Sequence, residues 1–237
     1  MTASIDVNIN SSRALGSTNR KSLSSGDTKI TEGLELSLQR ALASISIPGV
    51  VIGHRLISPG DEFALLAEEA LSIPSRSAVV RRRSGAARIV GRQLLARLGH
   101  PECAIPKGVA GAPIWPAGIT GSFAHDDQVA VAVAGKCSDV CALGIDIEPA
   151  ELLPPELLEL VATPQELRKI YADRFRGRLL FAAKEAVYKA VYPLDREFLD
   201  YHDIQIDLAA GKASVPNGRV VNLRYGIATH LVALAWI

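Results

Sequence analysis

Residues 144–149, which read Gly-Ile-Asp-Ile-Glu-Pro, say most about how this chain folds. Side chains of a strand alternate between its two faces, so the two carboxylates, Asp146 and Glu148, project to one side. Ile145 and Ile147, which alternate with them, then enter the core. Two neighbouring carboxylates repel each other unless a cation lies between them, and Mg²⁺ prefers such oxygen ligands. The stretch therefore predicts a strand with a metal site on one face; the alternative is a solvated strand surface.

A second informative segment is residues 181–189, FAAKEAVYK, within a predicted helix. Glu185 and Lys189 stand one turn apart on a common face, and Lys184 lies beside them rather than under them. Taken alone, such a pair is a common surface contact that stabilises a helix by about 0.2–0.5 kcal/mol. The segment becomes interesting if Glu185 supplies a third carboxylate to the metal.

The third segment, residues 107–125, concentrates glycine and proline around Trp115. This composition predicts a rigid loop whose backbone approaches a ligand closely. His125 follows a Gly-Ser pair and is suited to donate to a phosphate, although a lone histidine is more often structural.

The hydrophobic periodicity predicts both helices and short strands. The predicted helices are Leu34–Ala43, Asp61–Leu71, Ser77–Leu98, Leu152–Leu160, Pro164–Tyr171 and Arg176–Val191. The predicted strands are Val50–Leu56, Gln128–Ala134, Cys141–Ile147, Ile204–Asp207, Lys212–Val215, Val220–Tyr225 and Thr229–Trp236, with a loop over Pro106–Gly121. Helices and strands mix without the regular alternation of a doubly wound sheet, so the class is α+β, with two lobes split near residue 148.

Composition excludes several classes of protein. The 237 residues are 48 % hydrophobic and 22 % charged, which excludes a disordered, collagen-like or disulfide-scaffold chain. The three cysteines are interpreted as buried small hydrophobes in a reducing cytoplasm. Neither a membrane-spanning run nor a signal-peptide core is recognisable, so we expect a cytoplasmic protein. Residues 1–30, rich in Ser, Thr and Asn, are expected to be a disordered leader.

The net charge of +1 conceals two opposite blocks. Residues 76–107 carry seven arginines, one lysine and one acid, a net charge of +7. Residues 139–167 carry seven acids and neither Lys nor Arg, a net charge of −7. This segregation is typical of a chain that holds an anion in one place and a cation in another, although two solvated helix faces would look the same.

The three segments together resemble the 4′-phosphopantetheinyl transferase superfamily, in its Sfp-type branch and closest to the enterobactin-synthetase component D-like members. Residues 111–125 match the family's Gly-Pro-Trp-Pro-Gly-Ser-His element, residues 144–148 its Gly-x-Asp-x-Glu element, and residues 181–189 its Lys-Glu-Ala helix. The arginine-rich helix before them also fits. The resemblance covers about residues 75–237.

The resemblance implies a fold of two similar α/β lobes related by pseudo-twofold symmetry, here residues 31–147 and 148–237. It implies an enzyme that moves the 4′-phosphopantetheine arm of coenzyme A to a serine of an apo acyl or peptidyl carrier protein and releases 3′,5′-ADP. The reaction would depend on Mg²⁺, with Mn²⁺ as an alternative ion, and would serve siderophore, polyketide or fatty-acid biosynthesis. The two lobes in one chain suggest a monomer, with neither nucleic acid nor membrane as a partner.

The resemblance also assigns roles to individual residues. Asp146, Glu148 and Glu185 match the metal ligands, and Glu185 is the candidate base that takes the serine proton. Lys189 matches the lysine that steadies the phosphate and the leaving group, so the implied catalytic residues are Glu185, Lys189 and Asp146. The implied coenzyme A contacts are Arg81 (or its neighbours Arg82 and Arg83), Arg88, Lys107, Ser122, His125, Lys184 and Lys189.

Two other functions remain open from the residues alone. The arginine helix would suit a nucleic-acid-binding module, but it lacks interleaved aromatic residues and the acidic block would repel a polyanion. A Mg²⁺-dependent nuclease built on the three carboxylates would leave the Trp115 loop unexplained.

Overall fold

The computed structural model describes residues 25–170 and 175–237. It contains two antiparallel sheets, each covered by one long helix. Its helices are α1 (Ser25–Ser44), α2 (Ala67–Ser72), α3 (Ala78–Arg97), α4 (Pro155–Val161), α5 (Pro164–Ile170) and α6 (Arg176–Asp195). Its strands are β1 (Val50–Leu56), β2 (Ile119–His125), β3 (Val129–Lys136), β4 (Leu143–Pro149), β5 (Gln205–Asp207), β6 (Lys212–Ser214), β7 (Val220–Ile227) and β8 (His230–Trp236). The strand orders are β1-β3-β2 and β4-β8-β7-β6-β5. The α+β class is confirmed.

One hydrophobic core lies between the two sheets, and further apolar clusters lie under α3 and α6. The valines of β3 face the core between the sheets. The alanines of β3 face α3, and their small side chains allow this helix to pack closely. Helix α1 adds Leu38, Ala41 and Leu42 to the same core, together with residues of β4 and β8. A Cβ atom on Gly226 of β7 would lie 2.6 Å from the carbonyl oxygen of Ala41, so α1 rests directly on the second sheet.

Strand β4 carries the alternation that the sequence predicts. Ile145 and Ile147 are buried in the core between the sheets. Asp146 and Glu148 therefore lie on the opposite face, on which α6 packs. The contact is close, because a Cβ on Gly144 would lie 1.9 Å from the carbonyl oxygen of Ala186 in α6. The strand thus presents its carboxylates directly to α6.

The predicted helix Asp61–Leu71 is wrong. Residues 61–63 form a 3₁₀ turn and α2 begins only at Ala67. The buried carboxylate of Asp61 accepts hydrogen bonds from Arg55 and from the backbone of Ser58, which fixes the turn. The Glu69 carboxylate then accepts from the Leu66 amide and starts a new helix.

Other boundaries differ from the expectations. Helix α1 begins at Ser25 rather than Leu34, while residues 1–24 of the expected leader and Tyr171 lie outside the described residues. The predicted loop runs to Gly121, but β2 begins at Ile119. The lobe boundary expected after residue 147 falls inside β4, which belongs to the second sheet.

The cysteines are not all buried. Cys137 and Cys141 are exposed and Cys103 is half-buried, so the interpretation of all three as core residues is wrong. Both exposed thiols lie in or beside the connection between β3 and β4, where short side chains are tolerated. Across the described residues, we find no helix that combines the length and the apolar character needed to cross a membrane.

Candidate active site

Helix α6 brings the implied catalytic residues together over β4. The Nζ atom of Lys189 lies 2.6 Å from Oδ1 of Asp146 and 3.4 Å from the carbonyl oxygen of Ile145. Glu185, one turn earlier on the helix, is close enough to Asp146 to raise its pKa. The strand repeat of two residues and the helix repeat of 3.6 thus bring one residue of β4 and two of α6 to one point.

Each of the three carboxylates has its own partner. Asp146 pairs with Lys189, Glu148 accepts from Arg178 at 2.9 Å, and Glu185 accepts from the hydroxyl of Tyr201 at 2.7 Å. In this arrangement, the described residues contain no group of three His, Cys, Asp or Glu side chains placed to hold a metal ion. The Oδ2 atom of Asp146, however, is buried without a hydrogen-bond partner. An orphaned buried carboxylate oxygen is the kind of atom that a cation satisfies.

The electrostatics of the site favour a cation. Burial raises the pKa of Asp146 above its ordinary value; Lys189 opposes the increase and the nearby carboxylates add to it. Burial likewise raises the pKa of Glu148 against the pull of Arg178. For Lys189, the attraction of Asp146 and Glu185 outweighs the cost of burial and raises the pKa, so the ammonium stays charged. Burial and the neighbouring carboxylates therefore disfavour the charged forms of Asp146 and Glu148, and a cation would offset both effects.

The end of β2 lies near the same cluster of carboxylates, since β2 contacts β4. Ser122 is buried and His125, three residues later, is exposed to solvent at the end of the strand. Surrounding protein atoms, and then the charges of Lys189 and Arg83, lower the pKa of His125 from its ordinary value. Because the charge of Lys189 acts on His125, the end of β2 lies near the Asp146 and Lys189 pair. The lowered pKa, about 4, leaves the imidazole neutral at pH 7.

The arginines of α3 fall into two groups. Arg82 pairs with Glu62, Arg83 with Asp127, and Arg92 with Glu69. Arg81 instead donates to the carbonyl oxygen of Glu62 at 3.4 Å. The paired arginines have much of their charge neutralised, which weakens the alternative of a nucleic-acid-binding surface.

Arg88 is the one buried arginine of α3 in the described structure. Its Nε donates to the carbonyl oxygen of Ile105 at 3.2 Å, and its guanidinium lies 5.3 Å from the ring centre of Phe123. Desolvation lowers its pKa to about 10, so it remains charged at neutral pH. Lys107 is exposed, and its backbone amide donates to the hydroxyl of Ser72. Arg88 lies in the arginine-rich helix and Lys107 in the glycine- and proline-rich loop. These are the two segments for which the sequence predicts anion or ligand binding.

Two models of known protein families match most of this chain. Residues 67–135 match the family model described as the 4′-phosphopantetheinyl transferase N-terminal domain, and residues 142–230 match that of the 4′-phosphopantetheinyl transferase superfamily. The chain is 39 % identical over 176 residues to the 4′-phosphopantetheinyl transferase Npt of Nocardia iowensis, a match that covers 72 % of this chain and 78 % of the relative. The chain belongs to the 4′-phosphopantetheinyl transferase superfamily.

Two further relatives carry the same description. The chain is 36 % identical over 156 residues to the 4′-phosphopantetheinyl transferase Svp of Streptomyces mobaraensis, covering 63 % of each. It is 38 % identical over 145 residues to the 4′-phosphopantetheinyl transferase PptT of Mycobacterium tuberculosis, covering 60 % of this chain and 64 % of the relative. The resemblance stated from the motifs is confirmed, as is the two-lobed phosphopantetheinyl transferase fold.

The structure places one implied residue of this transferase away from the cluster of carboxylates. Lys184 is fully buried and donates to Glu166 at 2.7 Å, to the carbonyl oxygen of Val161 at 2.9 Å, and to that of Tyr201 at 2.8 Å. An ammonium group has three protons, and all three are used here. The expectation that Lys184 contacts coenzyme A does not agree with this placement.

Sequence reasoning missed two residues that hold the transferase carboxylates. Arg178 lies seven residues before Glu185 on α6, and two helical turns place both on one face, so periodicity could have found it. It also donates to the backbone oxygens of Glu151 and Leu152, and so fixes the chain after β4. Tyr201 lies beyond the end of α6 in a 3₁₀ turn, and no periodic signal connects it to Glu185.

Proposed function

We propose that this transferase moves the 4′-phosphopantetheine arm of coenzyme A to a serine of an apo acyl or peptidyl carrier protein, with Mg²⁺ as the required ion and 3′,5′-ADP as the second product. The observation that carries the proposal is the packing of α6 on β4, which gathers Asp146, Glu185 and Lys189 around a buried carboxylate oxygen without a partner. The phosphopantetheinyl transfer itself is supported by the relatives, which are 4′-phosphopantetheinyl transferases.

The carboxylates fit a hard divalent ion. Asp146 offers its orphaned Oδ2, and Glu148 can exchange Arg178 for the ion. Oε1 of Glu185 keeps the hydrogen bond from Tyr201 and has a second lone pair to offer the ion. Mg²⁺, or Mn²⁺ in its place, would neutralise charge on the pyrophosphate of coenzyme A and on the leaving group. An ion there would also offset the burial and the neighbouring carboxylates, which raise the pKa of Asp146.

The residues of the chain divide the remaining work. Glu185 accepts the proton as the serine oxygen bonds to the phosphorus next to the pantetheine, while the bond from that phosphorus to 3′,5′-ADP breaks. Lys189, which remains charged, stabilises the negative charge on the phosphate oxygens. Little covalent chemistry is required, so placing these groups accounts for most of the catalysis.

The first sheet and α3 supply the nucleotide site. Arg88, which is pre-oriented by Ile105 and Phe123, binds the 3′-phosphate together with His125. Ser122, Lys107 and Arg81 complete the site, and charge-assisted bonds give it specificity for phosphate.

Partners and location complete the proposal. The acceptor is an apo carrier protein of a siderophore, polyketide or fatty-acid pathway. We place the enzyme in the cytoplasm, in keeping with three free cysteines in the described residues. We expect a monomer, because both sheets that carry the proposed site come from one chain.

Replacing Arg88 by alanine is expected to weaken coenzyme A binding roughly 10- to 100-fold, because a hydrogen bond to a charged group contributes about 1.5–3 kcal/mol. Affinity for 3′-dephospho-coenzyme A should change much less. Isothermal titration calorimetry with both ligands measures the difference. Arg97→Ala, at an exposed position of the same helix, is the matched control and should bind both ligands normally. Equal weakening of both ligands by Arg88→Ala would remove Arg88 from the 3′-phosphate site.

Removal of divalent ions with EDTA is expected to abolish transfer and to leave the fold intact. Lys189, Arg178 and Tyr201 already partner the three carboxylates, so the chain folds without an ion. Mass spectrometry of the carrier protein measures transfer, and circular dichroism at 25 °C measures folding. Adding Mg²⁺ or Mn²⁺ should restore the rate. Full transfer in EDTA contradicts the metal requirement, and loss of the circular dichroism signal would make the ion structural.

A further inference from the structure

Tyr201 is held against the proposed catalytic base on two sides. Its hydroxyl donates to Oε1 of Glu185 at 2.7 Å. Its ring packs on Phe181, one helical turn before Glu185, with the ring centres 5.7 Å apart and the planes inclined at 47°. A tyrosine packed in this way has little rotameric freedom left, so the hydroxyl fixes the position of one carboxylate oxygen.

The backbone of Tyr201 is held in turn by the buried Lys184. The ammonium group donates to the carbonyl oxygen of Tyr201 at 2.8 Å and to Glu166 at 2.7 Å. The Glu166 carboxylate also accepts from the amide of Ile206 at 3.1 Å and from that of Thr163 at 2.9 Å. The segment that carries Tyr201 is therefore tied to this ion pair both at Tyr201 and five residues later.

A buried ion pair has a cost that calls for a reason. Lys184 is fully buried, and burial lowers its pKa while Glu166 opposes the change. Removing two charges from water costs several kcal/mol per ion, and well-packed apolar residues are often equally stable in their place. In this protein the pair fixes the backbone at Tyr201, Val161, Ile206 and Thr163. It therefore holds the segment that carries Tyr201 in one geometry.

We propose that Tyr201 is a positioning residue for Glu185, and that Lys184 acts through Tyr201 rather than on coenzyme A. The Tyr201 hydroxyl holds Oε1 of Glu185, and the other carboxylate oxygen is the one offered to the serine hydroxyl. The inference rests on the proposed function of Glu185. It assigns roles to a tyrosine outside the three motifs and to a lysine within one of them.

Tyr201→Phe tests the positioning role, because it keeps the ring on Phe181 and removes only the hydroxyl. We expect kcat for transfer to fall about 10- to 100-fold, because Glu185 loses a hydrogen bond to its charged carboxylate. The KM values for coenzyme A and for the carrier protein should stay within about twofold. The melting temperature should fall by about 3–12 °C, because the same hydrogen bond is lost from the folded protein. Tyr225→Phe, a partly exposed tyrosine of β7, is the matched control and should retain the wild-type kcat.

A double-mutant cycle tests whether Lys184 acts through Tyr201. Lys184→Met removes the ammonium group and keeps an apolar side chain of similar length. If Lys184 acts on Glu185 only through Tyr201, adding Tyr201→Phe to Lys184→Met should cause little further loss. The kcat of the double variant should then lie within about twofold of the kcat of the slower single variant. Rate losses that multiply would overturn the coupling.

The outcomes also separate this inference from the proposed function. A wild-type chain without transfer activity contradicts the proposed function. Normal kcat in Tyr201→Phe, with an active wild type, contradicts the positioning role alone. A raised KM for coenzyme A with normal kcat in Lys184→Met would return Lys184 to the coenzyme A site. Should Lys184→Met fail to fold, the kcat of Tyr201→Phe still decides the role of Tyr201.

Discussion

Glu185→Gln is expected to reduce kcat for transfer of the phosphopantetheine arm at least about 100-fold, the usual contribution of a general base. The amide keeps the shape of the side chain but cannot take the serine proton. Its oxygen can still accept from the hydroxyl of Tyr201, so the packing of α6 should not change. The measurement is the mass of an apo carrier protein after incubation with coenzyme A and Mg²⁺, which rises by one arm for the wild type.

Two controls give the Glu185 result its meaning. Glu159→Gln, on an exposed part of α4, should transfer at the wild-type rate. A Mg²⁺ titration of Glu185→Gln separates the roles of base and metal ligand. A rate that stays low at saturating Mg²⁺ supports the base, and a full recovery at high Mg²⁺ would leave Glu185 only a metal ligand.

Gly144→Ala is expected to lower the free energy of unfolding by about 3 kcal/mol or more, at the upper end of the range for overpacked cores. The added Cβ would lie 1.9 Å from the carbonyl oxygen of Ala186 and 2.6 Å from the amide nitrogen of Ala190. Both atoms belong to the backbone of α6, so the whole helix must move away from β4. The shift would also separate Lys189 from Asp146 and lower transfer activity. Urea denaturation measures the change in stability.

Gly33→Ala is the matched control for this substitution. Gly33 lies within α1, and a Cβ there would have no atom within 4 Å. Alanine is a better helix former than glycine, so this variant should be about 0.5–1 kcal/mol more stable than the wild type. Wild-type stability in Gly144→Ala would show that α6 leaves room for a Cβ atom at this position of β4.

The parts of the site that follow local periodicity could be predicted from the sequence. Alternation along β4 separates Asp146 from Ile145, and the helical repeat places Glu185 under Lys189. The same repeat puts Lys184 about 100° around the helix from Glu185, a direction that leads away from the cluster of carboxylates and into the core. The family resemblance alone suggested that Lys184 contacts coenzyme A.

The parts that depend on long-range contacts could not be predicted. Tyr201 donates to Glu185, which lies 16 positions earlier in the sequence. Ile206 donates to Glu166, which lies 40 positions earlier. The sequence predicts no strand at β2, because its small residues carry a weak strand signal. Gly121 is among them because a Cβ there would lie 2.6 Å from the ring of Trp115, a contact that no local pattern reveals.

Helix α1 bears on what counts as a domain in this protein. It precedes both segments that match the family models, which begin at residues 67 and 142, yet it packs on both sheets and contributes to the core between them. Strands from each half of the chain bury their apolar faces in that same core. The two halves are therefore one cooperative folding unit, and neither keeps its hydrophobic face covered when it is separated from the other.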